Sequence, residues 1–364
     1  MEVAGIISEL YDVAVLPGVR RPMALGFKSD EISRFVTIEY PNAPPVFQPF
    51  KAAPAAQTAP RQPAAAPGYR FQMSVDMTVT AVLQQYHPLT FPPLAEQLRG
   101  RSLREPLVTA VARVGDEPIA MALAEIAPDN AGAHLLSCFV ATAHRRHGIA
   151  TRLLAHLQQA LAQRGLRYLD LSYSTDWPSL PVVEHFLARY GWLPPQTLLY
   201  QYKVTYDIGS AAWLHDAPPL PDGCELFPWS DLQPAKHQSI QRKLKTGECP
   251  ANLDPFQADA HLAFNSVVLR HGGDVAGWMV THQAATDAIQ YTSFFLRPDL
   301  QRQGLGLALL AAAIRPQVDS DVPYGIWQVA ASNEPMLAFV RRYLQPYAMK
   351  QTERRVARQV LGGE

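Results

Sequence analysis

The 364-residue chain is 48% hydrophobic and carries 32 lysine plus arginine against 32 aspartate plus glutamate. That length exceeds what one hydrophobic core usually serves, so two domains with attachments are expected. The balanced charge gives no overall field to gather nucleic acid or an anionic membrane. Cys138, Cys224 and Cys249 lack paired spacing, which argues against a disulfide framework or a zinc site and favours a reducing cytoplasm. The N-terminal stretch does not read as a signal peptide, and no run of about 20 apolar residues predicts a membrane span.

In chain order, residues 1–43 form a strand-rich extension, with DVAVLPGV and SRFVTIEY, too small for a core of its own. It is expected to add to a sheet of the main body or to dock a partner protein. Residues 44–68, rich in proline and alanine, read as an extended linker. From Tyr69 the alternation of YRFQMSV predicts a strand, followed by helical segments TVTAVLQQY and PPLAEQLRG. LVTAVARV and IAMALAEI flank a Gly-Asp-Glu-Pro turn as a hairpin, and HLLSCFV is the next strand. Ile149, Leu153, Leu154, Leu157 and Leu161 then keep helical spacing up to Gly165. YLDLSYS, LPVVEHFLARYGW and QTLLYQYKV follow as strand, helix and closing strand.

The order then recurs. CELFPW is a strand, and SDLQPAKHQSIQRKLK a helix capped by Ser230 or Asp231. SVVLRHGGDVAGWMVTH is a hairpin on Gly272-Gly273, AIQYTSFFL a strand, and LGLALLAAAI a helix. YGIWQVAAS and EPMLAFVRRYL complete the set. The recurrence predicts a duplicated domain, 69–207 and 221–364, joined by a linker at 208–220.

Both copies place a bare turn between an apolar strand and an apolar helix, RRHGIA and QRQGLG. The first backbone amides of a helix lack internal partners and favour an anion, and a phosphate reaches them only where no side chain stands between. Gly304 and Gly306, with Gly148 and Ala150 in the first copy, meet that need, and Arg302, Arg145 and Arg146 are placed to add charge. A tight turn would explain one such glycine pair; two in matching places favour a ligand. Neither G-x-G-x-x-G nor a P-loop is present.

QRQGLG resembles the Q/R-x-x-G-x-G/A signature of the GNAT superfamily of acyl-CoA-dependent N-acyltransferases, and RRHGIA resembles its alternative form. The likeness covers most of Tyr69 to Leu344 by order of elements, and its specific part is the two turns. It implies an α/β fold: two tandem GNAT-like domains, each a central mixed sheet flanked by helices and splayed between its fourth and fifth strands to admit pantetheine. It implies acetyl-CoA or another acyl-CoA as cofactor and no metal. Gln301, Arg302, Gln303, Gly304, Leu305 and Gly306 would hold the diphosphate in the second copy, with Leu296 ending the strand before them. Arg145, Arg146, His147, Gly148, Ile149 and Ala150, with Val140, would do so in the first. Asn333 resembles the family's cofactor-contacting asparagine and is equally an N-cap.

Transfer to an amine needs a base, carbonyl polarisation and a proton for the departing thiolate. The tyrosine that often supplies the proton in the family is replaced by Leu187 and Val340, while Tyr190 and Tyr343 lie on another helix face and read as packing residues. Tyr291, with Thr292 and Ser293 beside it, and His134, with Ser137, are candidate donors; His282 and Glu125 are candidate bases. His144, His147 and His156 suggest a metal, but His144 and His147 flank an anion-binding turn among arginines that would repel a cation, so no metal is expected. The expected activity is N-acyl transfer from acyl-CoA to an amine-bearing small molecule or peptide, with the C-terminal copy active. The other expectation is a CoA-binding sensor or scaffold without turnover.

Overall fold

The computed structural model describes residues 68–89, 106–216, 219–256 and 263–362. The extension at 1–43, nearly all of the linker at 44–68 and the helix expected over PPLAEQLRG lie outside the described residues.

Alternation and turn chemistry account for most elements. The strands of the first half are β1 (Tyr69–Met77), β2 (Leu107–Val114), β3 (Glu117–Ile126), β4 (Gly132–Val140) and β5 (Tyr168–Ser174), with β6 (Gln196–Val204) after them. Helices α1 (Val79–Tyr86), α2 (Ile149–Gln163) and α3 (Leu180–Arg189) are interspersed, and a short α4 (Ala212–His215) leads into the second half. There β7 (Cys224–Pro228), α5 (Pro234–Thr246), β8 (Val267–His271), β9 (Asp274–Ala285) and β10 (Ala288–Leu296) precede α6 (Leu305–Val318), β11 (Tyr324–Ala330), α7 (Glu334–Tyr343) and β12 (Ala348–Val360). Helix α2 buries Ile149, Leu153, Leu154, Leu157 and Leu161, the spacing its sequence dictates. Gly272 and Gly273 turn the β8–β9 hairpin at φ 57° and 81°, where side chains other than glycine are strained.

Two expectations are corrected. Helix α5 is not capped by Ser230 or Asp231. It starts at Pro234, after Gln233, because proline at the first helical position presets φ and has no amide to satisfy, while Ser230 Oγ instead donates to Asp231. The hairpin between β2 and β3 turns on Gly115 and Asp116 alone, with Glu117 and Pro118 already paired to Val114 and Arg113.

The twelve strands of the described residues form one sheet, in the order β1-β2-β3-β4-β5-β12-β6-β11-β10-β9-β8-β7. The two halves mirror one another about the β12–β6 pair, and their closing strands are exchanged: β6 lies against β11, and β12 against β5. Pro194 and Pro195 hold the segment before β6 extended, and Leu193 donates its amide to the Arg358 carbonyl on the way across. Helices α2 and α3 cover one face of the first half, burying Leu153, Leu157, Leu187 and Trp192, and α1 covers the other with Val82 and Tyr86. In the second half α6 and α7 share one core, and α5 packs the opposite face around Trp278 and Ile240. Among the described residues no helix is long and apolar enough to cross a membrane.

Candidate active site

Each half opens where its two parallel strands part. β4 and β5 pair only at Gly132↔Tyr168, Ala133↔Leu169 and His134↔Asp170, and β10 and β11 only from Ala288↔Tyr324 to Tyr291↔Trp327. Beyond those pairs all four strands continue, to Val140, Ser174, Leu296 and Ala330, so a cleft runs toward the helix start. A β-bulge marks the fork in both halves, with Leu136 and Thr292 the extra residues. Bulges interrupt a ladder and re-aim side chains, which suits a place where a ligand approaches backbone.

The turns after β4 and β10 match residue for residue. Arg146 and Gly148 have φ 65° and 71°, and Arg302 and Gly304 have 64° and 81°. A left-handed arginine costs about 1–2 kcal/mol, so two in equivalent places indicate a loop held in shape for use rather than by default. Arg145 Nε donates to the Val140 carbonyl and Gln301 Nε2 to that of Leu296, both at 2.9 Å, closing the loops onto their strands. Gln303 closes the second further, donating to Asp299 at 3.0 Å. Neither α2 nor α6 receives a side-chain cap, and Arg145, Arg146 and Arg302 are exposed around the helix starts. A Cβ on Gly306 would meet only ordinary contacts, the nearest being Phe294 Cζ at 3.5 Å, so internal packing does not demand glycine there. Two uncapped helix starts ringed by exposed guanidinium groups fit a diphosphate.

The acid–base candidates separate into three settings. Tyr291 lies 5% exposed in the core under α6, stacked on Trp327 at 3.8 Å. Its hydroxyl donates to Gln317 at 2.6 Å and accepts from Asn265 at 3.3 Å, and burial pushes its acidity far out of reach. This is a structural network, extended by Thr281 donating to Asn265 at 2.6 Å. His282 is buried on the α5 face, its Nδ1 2.8 Å from the hydroxyl of Thr292, the exposed residue of the bulge. Burial lowers the pKa of His282, so the neutral imidazole persists.

In the first half the register aligns Glu125, His134, Asp170 and Arg358 in one row across β3, β4, β5 and β12. Arg358 donates to both carboxylate oxygens of Asp170 at 2.7 Å. His134 is held below its ordinary pKa, because burial outweighs the opposing pull of Asp170 and Glu125. Glu125 takes the position in β3 that His282 takes in β9. The pairing thus brings Glu125 and His134 together, and it sets both apart from Tyr291 and His282 in the other half.

Asn333 caps α7, accepting from the Met336 amide at 3.2 Å. Leu187 and Val340 are buried at 2% and 0% exposure, and Tyr190 and Tyr343 pack on Phe186 and Phe339. Ser293 takes a hydrogen bond from Trp278 Nε1 and gives one to the Leu253 carbonyl, whereas its counterpart Ser137 is buried with no partner among the described residues. His144 meets the Tyr69 hydroxyl at 3.4 Å, and no group of three or more His, Cys, Asp or Glu among the described residues is arranged to hold a metal. Asp170 and Arg358 escaped the sequence reading. The signals were a lone aspartate in YLDLSYS and an arginine in a highly charged C-terminal segment that shows no apolar alternation.

The family model described as Acetyltransferase (GNAT) family matches residues 77–187 and 229–344, more than half of the chain. Among solved structures, a tandem GNAT protein from the clavulanic acid biosynthesis pathway is similar over 81% of this chain and 100% of its own, at 15% identity and a TM-score of 0.53. GCN5-related N-acetyltransferases from Sphaerobacter thermophilus (15% identity, 81% and 97% covered, TM-score 0.44) and Kribbella flavida (13%, 80% and 72%, 0.42) are also similar. None of the curated proteins matches the chain. Identities this low speak to the fold alone. The two matched segments each contain one parting strand pair and one bare helix start, and on that footing the chain belongs to the acetyltransferase (GNAT) family.

Proposed function

We propose that the protein transfers an acetyl or longer acyl group from acyl-CoA to a primary amine of a small molecule or peptide by direct attack, with the C-terminal half as the catalytic one. The observation that carries this reading is the alignment, in one half, of the Gly304 cradle, the fork at Tyr291 and the exposed Thr292 hydroxyl bonded to His282. Bound acyl-CoA supplies an activated thioester. The amine lone pair forms the amide C–N bond as the C–S bond breaks, and one proton leaves the amine while the thiolate takes one. Thr292 would accept the amine proton as it passes its own hydroxyl proton to neutral His282. The exposed guanidinium of Arg302 and the first amides of α6 hold the diphosphate end. The cytoplasm as the site of action is supported by the three cysteines being free.

The test is single-turnover transfer from radiolabelled acyl-CoA over a panel of amines. Gly304→Glu is expected to abolish transfer at the C-terminal half and Gly148→Glu to leave it; equal rates in both variants would defeat the assignment. A second reading, a CoA-binding sensor without turnover, is favoured by the apolar Leu187 and Val340 at the places of the family's tyrosine. Calorimetric binding of CoA with no thiol released over any amine would select it. Docking of an acceptor through residues 1–43 is part of the proposal, and unchanged kinetics on the acceptor after deletion of 1–68 would remove it.

A further inference from the structure

We propose that Arg358 is a positioning residue of the N-terminal site: delivered by the last strand of the chain, it fixes the Asp170 carboxylate beside His134 at the point where β4 and β5 part. The proposal rests on the acyl-transfer reading and adds a second site to it, finished by a strand from the other half. Register places His134 opposite Asp170 and Asp170 opposite Arg358, and the intervening residues Leu135 and Ala357 belong to the core under α2. The row therefore faces the α1 side, at the last rung before the cleft.

Arg358 is held from two directions. Both its bonds to Asp170 are 2.7 Å, and its guanidinium lies 3.7 Å from the Tyr168 ring centroid. That ring in turn fills the space above Gly132, where a Cβ would come within 2.2 Å of it. The other half repeats the stack without the chemistry. Lys203 lies 3.7 Å over Tyr324, but Ile326 stands where Asp170 would be and Gln290 where His134 would be. A cation on a tyrosine thus suffices to join the strands. The buried carboxylate, 1% exposed, is an addition that strand pairing does not need, and a buried ion pair is a poor source of stability. Its location beside His134 supplies the reason for it. Among the described residues the charged groups acting on His134 are Glu125 on β3, Asp129 in the turn before β4, Asp170 on β5 and Arg358 on β12.

Two readouts test the proposal in the full chain. The first is titration of the His134 imidazole by NMR, assigned by its loss in His134→Gln among the 11 histidines. Arg358→Met leaves an unscreened carboxylate and is expected to raise the His134 pKa. Asp170→Asn is expected to lower it, and the double variant, which keeps a packed core if Arg358→Met alone folds poorly, should fall between them. Shifts of one sign in both single variants, or none, overturn the proposal. The second readout is acyl transfer in a Gly304→Glu background, where Arg358→Met should lower kcat on the order of tenfold with KM for acyl-CoA unchanged, and Arg358→Lys should restore part of it. A rise in KM alone would make Arg358 a binding or structural residue and also overturn the proposal, as would complete loss of transfer in Gly304→Glu itself while the wild-type protein is active. If wild-type protein transfers nothing at either half while the titrations keep the expected order, the transferase reading falls and the coupling of Arg358 to His134 stands.

Discussion

His282 and Tyr291 sit one register step apart on neighbouring strands, yet they point to opposite faces of the sheet, and that difference decides what each can do. The hydroxyl of Tyr291 is consumed by Gln317 and Asn265, whereas His282 meets an exposed threonine. Tyr291→Phe should therefore cost roughly 1–3 kcal/mol in urea unfolding, because it strands buried polar partners, and leave kcat unchanged. His282→Gln should lower kcat on the order of a hundredfold, a usual size for a lost base. Because burial depresses the pKa of His282, the base form survives to lower pH than an ordinary imidazole, so the acid limb of kcat/KM should fall below about 6.5. The same depression has a sign for stability. The unfolded chain takes the proton first as pH falls, so wild-type stability should start to drop as pH falls through about 6.5, and His282→Gln should drop less.

At the level of elements, the cradles show how far local chemistry was readable. The glycines of RRHGIA and QRQGLG announce a helix start without side chains, and Gly148 and Gly304 sit there with positive φ. Gly304→Ala and Gly148→Ala should each cost about 1–2 kcal/mol through backbone strain; Gly306→Ala, with a nearest contact of 3.5 Å and Ala150 as its counterpart, should stay within about 0.5 kcal/mol in thermal unfolding. Strands such as YLDLSYS and AIQYTSFFL were legible because alternation against a covered face leaves a two-residue period. Strand β12 was not. AMKQTERRVARQV carries Lys350, Glu353, Arg354, Arg355 and Arg358 into the middle of a sheet, which its own sequence gives no reason to expect. The countercharges for Arg355 and Arg358 come in part from the other half, as Glu184 and Asp170, with Glu353 on the strand itself. Arg355 bonds Glu184 and Glu353 at 2.8 Å, Thr197 donates to Glu353 at 2.9 Å, and Arg358 pairs with Asp170. Burial alone would raise the pKa of Glu353, but the bonds from Arg355 and Thr197 hold it below its usual value. A local reading of either half contains only one partner of the Arg355–Glu184 and Arg358–Asp170 pairs, so the site residues Asp170 and Arg358 stayed hidden with the strand.

Across the whole molecule, the exchange of β6 and β12 makes each half depend on the other for its sixth strand. A half isolated near the 208–220 connection could in principle fold its own closing strand back, since β6 and β12 occupy equivalent places about the pseudo-two-fold. The side chains oppose that. With β12 returned to β11, Arg358 would face Ile326 in place of Asp170 and lose both of its 2.7 Å bonds, while β6 returned to β5 would offer the buried Asp170 only Lys203, a point charge in place of the bidentate guanidinium fork. A stranded Arg358 and a poorer partner for Asp170 weigh against the roughly 5–15 kcal/mol that holds a domain folded. Pro194 and Pro195 add a backbone reason, because an extended Pro-Pro segment resists the turn that would bring β6 back to β5. The separate halves, 68–210 and 211–364, should therefore remain largely unfolded when expressed singly and assemble one to one when expressed together. Size-exclusion chromatography with hydrogen exchange at β5 and β11 reads this directly. Two independently folded, protected halves would show that the exchange is incidental to stability, and would also leave the N-terminal site able to form without Arg358.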